Sequence, residues 1–524
     1  MPLFLQKKEM KQFLLLLCLL CSLAAGAQEN IDTAVLGRIR AEEMTRSHIP
    51  EIAHDLLEVP GPRLTNSPGY KRAGEWVISA LKGWGLTGAG FEAWGTFGKG
   101  WELEHSDIGV TYPYYQPIIG YPWAWTQGTD GPKTGVLVSI LHANFNPDYI
   151  NAHRAEIRNK FILLGDSVSL NPATVPFSTR LSDSELDTLK DTYIFSPAQE
   201  KQMMAMNKSV DSNFNDFQDA GALGVILRYK GVGGRDGTIF VMGVDEYKPG
   251  MRKGLPQISV AVEDFNKLRR MVAGKDSVQV TVNIATKFYS DDLKGYNVVG
   301  EIPGSDPKLK DQIVMIGAHL DAWHGATGAT DNGAGCIVML EVIRLMKALD
   351  LHPKRTIRIV LWSGEEQGLL GSTNYVKNHF GDQATMKLLP AQSQVSVYYN
   401  LDNGTGKIRG IWAQGDTAAK PVFEQWLAPL KDLGASAVTL HSTGSTDHVP
   451  FDAVGIPAFQ FIQDPLEYET RTHHTTMDTY DHLNIPDLQQ AAIVVASFVY
   501  NSAMRTGLMP RKPLPAPTEN PFVN

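Results

Sequence analysis

Cysteine is scarce in this chain, with three residues in 524. Two of them, Cys18 and Cys21, lie within the first 27 residues, which leaves Cys336 alone in the remainder. A single thiol cannot form an intramolecular disulfide, so stability must come from packing or from bound metal. Cys336 opens the apolar run CIVML, and this context predicts a core position rather than a catalytic nucleophile.

Basic charge is also in short supply. Lys and Arg total 48 against 56 Asp and Glu, which gives a formal net charge of -8. Because binding to a phosphate backbone requires a basic face, this balance argues against a nucleic-acid partner. After the first 27 residues no apolar run is long enough to cross a bilayer, so we expect no stable membrane insertion of the mature chain.

Two common hydrolase motifs are missing. The chain contains no HExxH and no GxSxG. A zinc site built on a single helix and a serine nucleophile on a strand-to-helix turn are therefore both unsupported. Any metal or catalytic site must draw on several separate segments.

The N-terminal segment is the one strongly apolar stretch. MKQFLLLLCLLCSLAAGAQEN, residues 10–30, has a basic start, an apolar run from Phe13 and a small-residue end at Ala27. This pattern predicts a secretory signal peptide over residues 1–27, with either Met1 or Met10 as the start. The alternative, a membrane anchor, is disfavoured because the apolar run is too short to span a bilayer. We therefore expect an exported protein, periplasmic or extracellular.

The rest of the chain divides into regions of different pattern. Residues 131–284 contain short apolar strands such as TGVLVSIL and KFILLGD, which predict a separate β-rich unit. Residues 28–130 and 285–508 would form one discontinuous main domain. The segment 509–524 is proline-rich, and we expect it to be loosely held.

In the main domain, strands and helices alternate after Tyr296. This alternation predicts an α/β fold with a mostly parallel, doubly wound sheet covered by helices on both faces. Helices are predicted over 31–59, 67–84, 333–349, 368–378, 417–433 and 485–504.

Histidine, aspartate and glutamate residues follow the predicted strands of this sheet. Ligands bind at the carboxyl ends of strands in open α/β sheets, so we expect these side chains to share one edge. Imidazole and carboxylate together suit zinc. A carboxylate can also bridge two ions, and Asp331, in a glycine-rich loop, is well placed to do so. The candidates are His319, Asp321, Asp331, Glu365, Glu366, Asp402 and His474.

Five motifs in this order resemble a known family. GAHLD, DNGAG, SGEEQGLLGS, NLD and HHTTMDT are similar to those of the M28 zinc exopeptidases. The early GPRLTNSPGYKRAGEWV fits the plasma glutamate carboxypeptidase branch of that family. The resemblance implies a zinc exopeptidase-like sheet, and it identifies the 131–284 unit with the protease-associated domain that this branch inserts.

The resemblance also implies a role for each matched residue. Two zinc ions would be bridged by Asp331, with His319 and Asp402 at one site and Glu366 and His474 at the other. Asn332 stands where the family often has a second acid, but the ligand is the first residue of that pair. A cis peptide bond is expected after Asp331.

Other positions would support the chemistry. Glu365 would be the general base, and Asp321 would orient His319 through the free ring nitrogen. His473, beside the matched histidine, is interpreted as structural. Asp447 and His448, in STDHVPF, lie close to a pattern that the family places near the substrate pocket, although ordinary loop polarity is the alternative.

The sequence therefore predicts an exported zinc-dependent exopeptidase acting on peptides or dipeptides. Aminopeptidase, carboxypeptidase and dipeptidase actions all remain open, with an amino- or dipeptidase favoured, and homodimer formation is left open. One alternative is a glutaminyl-cyclase-like acyltransferase on the same fold. The other is a non-catalytic, receptor-like binding protein, which the presence of all five ligands and the base argues against.

Overall fold

The computed structural model describes residues 28–170, 174–189, 214–228 and 234–518. The predicted signal peptide lies outside these residues. The strands are, in chain order, β1 (Thr87–Thr96), β2 (Gly100–Tyr112), β3 (Gln116–Pro117), β4 (Gly120–Pro122), β5 (Lys133–Ile140), β6 (Phe161–Leu164), β7 (Gly224–Leu227), β8 (Gln257–Val260), β9 (Gln279–Tyr289), β10 (Lys294–Ile302), β11 (Ile313–His319), β12 (Thr356–Trp362), β13 (Gly381–Asp382), β14 (Lys387–Leu388), β15 (Val395–Asn400), β16 (Ile408–Trp412), β17 (Ala437–Thr439) and β18 (Ala458–Gln463).

Helices follow several of these strands. Those with described bounds are α1 (Thr33–Arg46), α2 (Ile49–Ala53), α3 (Pro68–Gly83), α4 (Pro147–Ala152), α5 (Arg154–Ile157), α6 (Asp183–Thr188), α7 (Val262–Ala273), α8 (Ala334–Ala348), α9 (Leu370–His379), α10 (Lys420–Leu427), α11 (Val449–Ala453) and α12 (Ile485–Met504). None of the helices in the described part of the chain has the length and apolar character needed to cross a membrane.

One sheet carries the alternating pattern predicted after Tyr296. Its order is β1-β10-β12-β11-β15-β18-β16-β17. The central strands β12, β11, β15 and β18 are parallel neighbours, whereas β1 and β10 add antiparallel strands at one edge. The predicted α/β class with a parallel central sheet is thus confirmed, and antiparallel pairs occur outside that centre.

Helices cover both faces of this sheet. Val314 and Ile316 of β11 pack in the core that contains α8 and α12. Met315, between them in sequence, packs in a second core with Tyr375 of α9 and Phe451 of α11. Because successive strand residues point to opposite faces, a run of apolar residues is what a strand buried on both sides requires.

The predicted helix over 31–59 is broken near its middle. The α1 helix ends at Arg46, and Ser47 adopts an extended conformation with ψ 139°. The chain becomes helical again at Ile49, with Pro50 in the first turn of α2. In one continuous helix Pro50 would have no N–H for the carbonyl of Arg46, four residues earlier, and its ring would clash with that carbonyl, so one continuous helix was the wrong prediction.

A second sheet contains the remaining long strands, in the order β3-β2-β9-β5-β6-β7-β8-β4. The β2 and β9 strands pair antiparallel over their length, from Gly100 opposite Tyr289 to Tyr112 opposite Gln279. This β-rich sheet therefore begins at Gly100, earlier than the predicted boundary at residue 131. Alternation in β2 is weak, since its burial is irregular, and this concealed the pairing.

The first residues of the proline-rich segment are docked, contrary to the prediction that the segment is loosely held. Met509 is 2% exposed. The Arg511 guanidinium donates to the backbone carbonyls of Gly455, Gln392 and Val395 at 3.0, 3.1 and 2.5 Å. Backbone carbonyls withdrawn from water need such donors, and this requirement fixes the tail through residue 512.

Candidate metal centre

His319 ends β11 with one ring nitrogen already committed. Nδ1 donates to the backbone carbonyl of Asp321 at 2.8 Å. That bond leaves Nε2 free as a ligand atom. Nε2 lies 3.2 Å from Oδ1 of Asp331 and 3.2 Å from Oδ1 of Asp402. Because β11 and β15 are parallel neighbours, their ends bring His319 and Asp402 together.

Asp331 is held in place by its loop. The buried Arg63 guanidinium donates to the carbonyls of Leu320 at 2.8 Å and Gly328 at 2.9 Å, which ties both ends of the glycine-rich loop. The Asp331 backbone N–H donates to Asp478 Oδ2 at 3.0 Å. The peptide bond from Asp331 to Asn332 is cis, as the resemblance implies.

His474 approaches the other oxygen of Asp331. His474 Nε2 is 3.2 Å from Asp331 Oδ2 and 2.9 Å from Glu366 Oε2. The backbone of His474 has φ 58°, a left-handed conformation that few non-glycine residues adopt. Asp331 thus faces His319 with one oxygen and His474 with the other, which is the arrangement a bridging carboxylate requires.

Glu365 lies beside the first of these groups. Its Oε2 is 3.9 Å from His319 Nε2, and the side chain is 10% exposed. Burial raises the pKa of Glu365 well above its ordinary value. Glu365 thus lies next to the His319 imidazole and keeps a small exposure to solvent.

Asp321 acts differently from the prediction. Its carboxylate is 3.8 Å from His319 Nδ1, so the backbone carbonyl, not the side chain, orients the imidazole. The carboxylate instead accepts from Thr65 Oγ1 at 2.8 Å and from the N–H groups of Glu365 and Glu366 at 3.3 and 3.4 Å. Asp321 therefore fixes the turn that presents both glutamates.

The site contains more carboxylates than imidazoles, and this excess of acidic groups favours binding of a cation. Four buried or nearly buried carboxylates, those of Asp331, Glu365, Glu366 and Asp402, surround two imidazoles. Burial opposes ionisation, but the carboxylates of Glu366 and Asp331 raise the pKa of His474 to about 10. Oε1 of Glu366 is buried without a hydrogen-bond donor.

The donor set fits zinc. Ligand atoms of His319, Asp331 and Glu366 lie within 4.8 Å of one another, as do those of His319, Glu365 and Asp402. Imidazole nitrogen and carboxylate oxygen are both zinc ligands, and excess negative charge would be compensated by bound metal.

Asp447, His448 and His473 were also singled out in the sequence, and none of them is among the proposed ligands. Asp447 and His448 are 0% exposed, so neither lines an open pocket in the structure. Burial raises the pKa of Asp447 to about 8 and lowers that of His448 to about 4. His473 stacks on Tyr468, with ring centroids 4.7 Å apart, and its Nε2 is 3.7 Å from Asp331 Oδ2.

Several supporting residues escaped the sequence reasoning. Arg63 donates to carbonyls of the glycine-rich loop that carries Asp331. Thr65 donates to Asp321, and Asp478 accepts from the N–H groups of Thr330 and Asp331. All three lie inside motifs quoted for the family resemblance, but more than 140 residues separate each from its partner, as between Asp478 and Asp331. Cys336, by contrast, is in the core as predicted, with no exposed surface.

Comparison with known proteins places this site in a family. Residues 297–499 match the model of Peptidase family M28. Carboxypeptidase Q of Homo sapiens is 31% identical over 269 residues, 51% of this chain and 54% of that protein. Aminopeptidase YwaD of Bacillus subtilis (strain 168) is 30% identical over 262 residues, 49% and 53% of the two chains. The chain spans about half the length of the curated relatives it matches.

Solved structures share the fold over more of the chain. A peptidase M28 precursor from Shewanella amazonensis SB2B has a TM-score of 0.67 at 25% identity and covers 92% of this chain and 98% of its own. BSAP, a zinc aminopeptidase from Bacillus subtilis, shares the fold with a TM-score of 0.55 at 21% identity, covering 87% and 94%. Residues 297–499 are therefore a peptidase family M28 domain, the family that the sequence motifs predict.

Proposed function

We propose that this chain is a zinc-dependent exopeptidase that hydrolyses terminal peptide bonds. The observation that carries the proposal is the position of Asp331, whose two oxygens each lie 3.2 Å from a different histidine. Asp331 would bridge two zinc ions. His319 and Asp402 would complete one site, and Glu366 and His474 the other.

The chain's own groups would move the proton. Bound zinc would supply a Lewis acid for the scissile carbonyl and a water of lowered pKa. Glu365 is poised to accept a proton from the attacking water and pass it to the leaving amine. Its raised pKa suits both steps, since it must give up the proton that it takes. Asp321 holds the turn that aims Glu365.

Product analysis on a peptide panel tests this function. The panel pairs dipeptides and longer peptides with forms blocked at the amino or the carboxyl end. Release of single residues or of free dipeptide constituents, lost on zinc removal, is the expected result. Cyclisation of an N-terminal glutamine peptide without hydrolysis would indicate the acyltransferase alternative. Peptide binding without turnover, despite full zinc content, would indicate a binding protein.

Export and domain insertion belong to the same proposal. The signal pattern of residues 1–27 supports a secreted or periplasmic location, and N-terminal sequencing of protein from the culture medium or periplasm should then begin at Gln28. We also propose that the β-rich region predicted over 131–284 is the counterpart of a protease-associated insert. The pairing of the strands β5, β6, β7, β8 and β9 with one another in a single sheet supports this proposal.

A further inference from the structure

A positively charged rim lies on the His474 side of the metal centre, apart from the proposed ligands. We propose that Arg235 and Arg471, packed on the Phe177 ring, form a subsite for the free carboxylate of a peptide substrate. The inference rests on the proposed peptidase function and deepens it, because such a subsite would decide which terminus of the substrate is held.

Both guanidinium groups contact one aromatic ring. The Arg235 Cζ is 6.0 Å from the Phe177 ring centroid, and the Arg471 Cζ is 5.7 Å from it. Thr470 Oγ1 donates to the Phe177 carbonyl at 2.6 Å, which fastens Phe177 to the loop that carries Arg471. Stacking on a ring orients a guanidinium while leaving its in-plane N–H donors for a ligand.

Neither arginine is saturated by protein carboxylates. Among the described residues, Arg471 forms no ion pair, and Arg235 approaches only Oδ2 of its neighbour Asp236, at 3.5 Å. The Nε atoms of Arg235 and Arg471 are buried, and neither has a hydrogen-bond partner in the described part of the chain. Glu469, the acid on the same loop, instead lies 3.9 Å from His473 Nδ1.

Arg180, three residues after Phe177, is an arginine with a structural role. Arg180 Nη1 is bonded to both Asp464, at 2.8 Å, and Asp487, at 2.6 Å. Its charge is compensated within the protein. Within the described residues, Arg235 has only the 3.5 Å approach to Asp236 and Arg471 has no ion pair, and a carboxylate is the ligand whose paired oxygens match a guanidinium fork.

The rim is tied closely to the metal ligands. Phe240 forms a bridge with Thr475, and its ring lies 5.5 Å from the His474 ring. Val241 N donates to the His474 carbonyl at 2.8 Å. Arg471 precedes His474 by three residues, so their Cα atoms are at most about 11 Å apart. Arg235 precedes Phe240 in the chain by five residues, and it shares the Phe177 ring with Arg471.

This geometry favours a substrate whose carboxyl terminus is close to the scissile bond. A dipeptide bound in this way would place its carbonyl at the proposed zinc ligands and its terminal carboxylate at the rim. The candidate metal site itself is rich in carboxylates, and the Arg63 guanidinium is committed to backbone carbonyls, so Arg235 and Arg471 are the cations proposed to meet the substrate. The subsite would therefore select dipeptides and peptides cleaved at the carboxyl end over carboxyl-blocked ones.

Steady-state kinetics of the zinc-loaded protein test the subsite. The substrates are one dipeptide and its C-terminal amide, and the variants are Arg471→Gln and Arg235→Gln. Each variant should raise KM for the free dipeptide by about tenfold or more, as expected for loss of a charge-assisted hydrogen bond, and leave kinetics on the amide unchanged. Arg252→Gln, at an exposed arginine in the loop before β8 that pairs with Asp219, is the matched control and should change neither.

Other results would overturn the subsite. They are equal losses on both substrates, no loss on either, or a wild-type protein that prefers the amide. Calorimetric titration with a non-cleavable dipeptide analogue and its amide gives a readout that does not need turnover. If neither substrate is hydrolysed but the analogue still binds in an Arg471-dependent way, the proposed function fails while the subsite stands. Zinc analysis of every variant excludes loss of metal as the cause.

Discussion

Glu365 and Glu366 are neighbours in sequence but contact different groups. Glu366 Oε2 lies 2.9 Å from His474 Nε2, whereas Glu365 Oε2 lies 3.9 Å from His319 Nε2. Asp321 accepts from both of their N–H groups, so the backbone of the turn is held while the side chains diverge. The two carboxylates can therefore be separated by experiment.

Substituting each glutamate by glutamine should give opposite zinc contents. Glu366→Gln should lose zinc from one site, because a neutral amide is a poorer ligand than a carboxylate. Glu365→Gln should keep both ions, yet lower turnover by at least about 10²-fold, the low end of what a positioned general base contributes. Elemental analysis and turnover, measured on both variants and the parent, check this. Zinc loss on Glu365→Gln with retention on Glu366→Gln would reverse the assigned roles.

Asp478→Asn should weaken metal binding although it replaces none of the proposed ligands. Asp478 accepts from the backbone N–H groups of Thr330 and Asp331 at 2.6 and 3.0 Å, and an amide would place a donor against one of them. We expect zinc affinity to fall about 10- to 100-fold, as is usual for the outer partners of a ligand. Competition with a chelator measures it. Asp481→Asn, at a nearby exposed acid, should retain parental affinity, and equal behaviour of the two variants would contradict the role.

At the scale of elements, α1 and α8 meet through buried charge. Arg344 donates to Glu341 at 2.8 Å and to Glu42 at 3.0 Å. Glu43 is 0% exposed, and no described residue forms a hydrogen bond with either of its oxygens. Burial, together with the adjacent Glu341, raises the pKa of Glu43 to about 9. The raised pKa favours the protonated form of Glu43 in the folded chain at neutral pH.

The stability of this helix pair should fall as pH rises. The folded pKa of Glu43 is above its unfolded value of 4.5, so its contribution is complete below pH 4.5 and is lost as pH rises through about 9. Glu43→Gln keeps a neutral donor and removes the titration. Its advantage in the free energy of unfolding should grow between pH 5 and pH 8, by at most about 1.4 kcal/mol per pH unit.

Thermal unfolding at several pH values checks this expectation. The melting temperature of Glu43→Gln should exceed that of the parent by more at pH 8 than at pH 5. Glu51→Gln, at an exposed residue of α2, is the control and should follow the parent at every pH. Parallel profiles for Glu43→Gln and the parent would show that Glu43 does not titrate as described.

At the scale of the whole molecule, the candidate metal centre lies beside a contact between the regions of the two sheets. The proposed ligands come from the ends of β11, β12 and β15 and from the loops that carry Asp331 and His474. The second sheet's region reaches the same place, since Phe240 bridges Thr475 and Thr476 N donates to the Ile239 carbonyl at 3.0 Å. Bound metal would therefore stabilise a junction rather than one element.

Removing zinc should lower the melting temperature as well as abolish activity. Without the ion, the carboxylates of Asp331, Glu365, Glu366 and Asp402 repel one another in a buried space. Ligand at 100 times its Kd stabilises a folded protein by about 2.7 kcal/mol, and zinc at that excess should restore both properties. Scanning calorimetry before and after chelation, with elemental analysis, measures the change. An unaltered melting temperature in verified metal-free protein would contradict it.

Much of the first sheet could be predicted because its signals are local. The α12 helix spans Ile485–Met504, as predicted, and β11 ends at His319 where the apolar run stops. Helix and strand periods act over a few residues, so one sequence suffices to show them. Where the local signal was ambiguous, prediction failed, as at the break after Arg46 and at β2, whose burial does not alternate cleanly.

The sequence by itself determined the donors of the candidate site and the order in which the chain supplies them. His319, Asp331, Glu366, Asp402 and His474 were all named from strand ends and motifs, and the structure brings them together. Strand ends share an edge in a parallel sheet, so topology explains the grouping of His319, Glu366 and Asp402, whereas Asp331 and His474 are brought in by loops.

Only the tertiary structure decided how those donors are held and what surrounds them. Arg63 is 257 residues from Leu320, whose carbonyl it binds, and Arg511 is 119 residues from Gln392. The hydrogen bond that orients His319 comes from the Asp321 carbonyl, which every residue possesses and no sequence pattern can mark. Asp447 and His448 looked like pocket residues but are enclosed. Burial and long-range hydrogen bonds depend on which distant segments meet, and that is settled only when the whole chain packs.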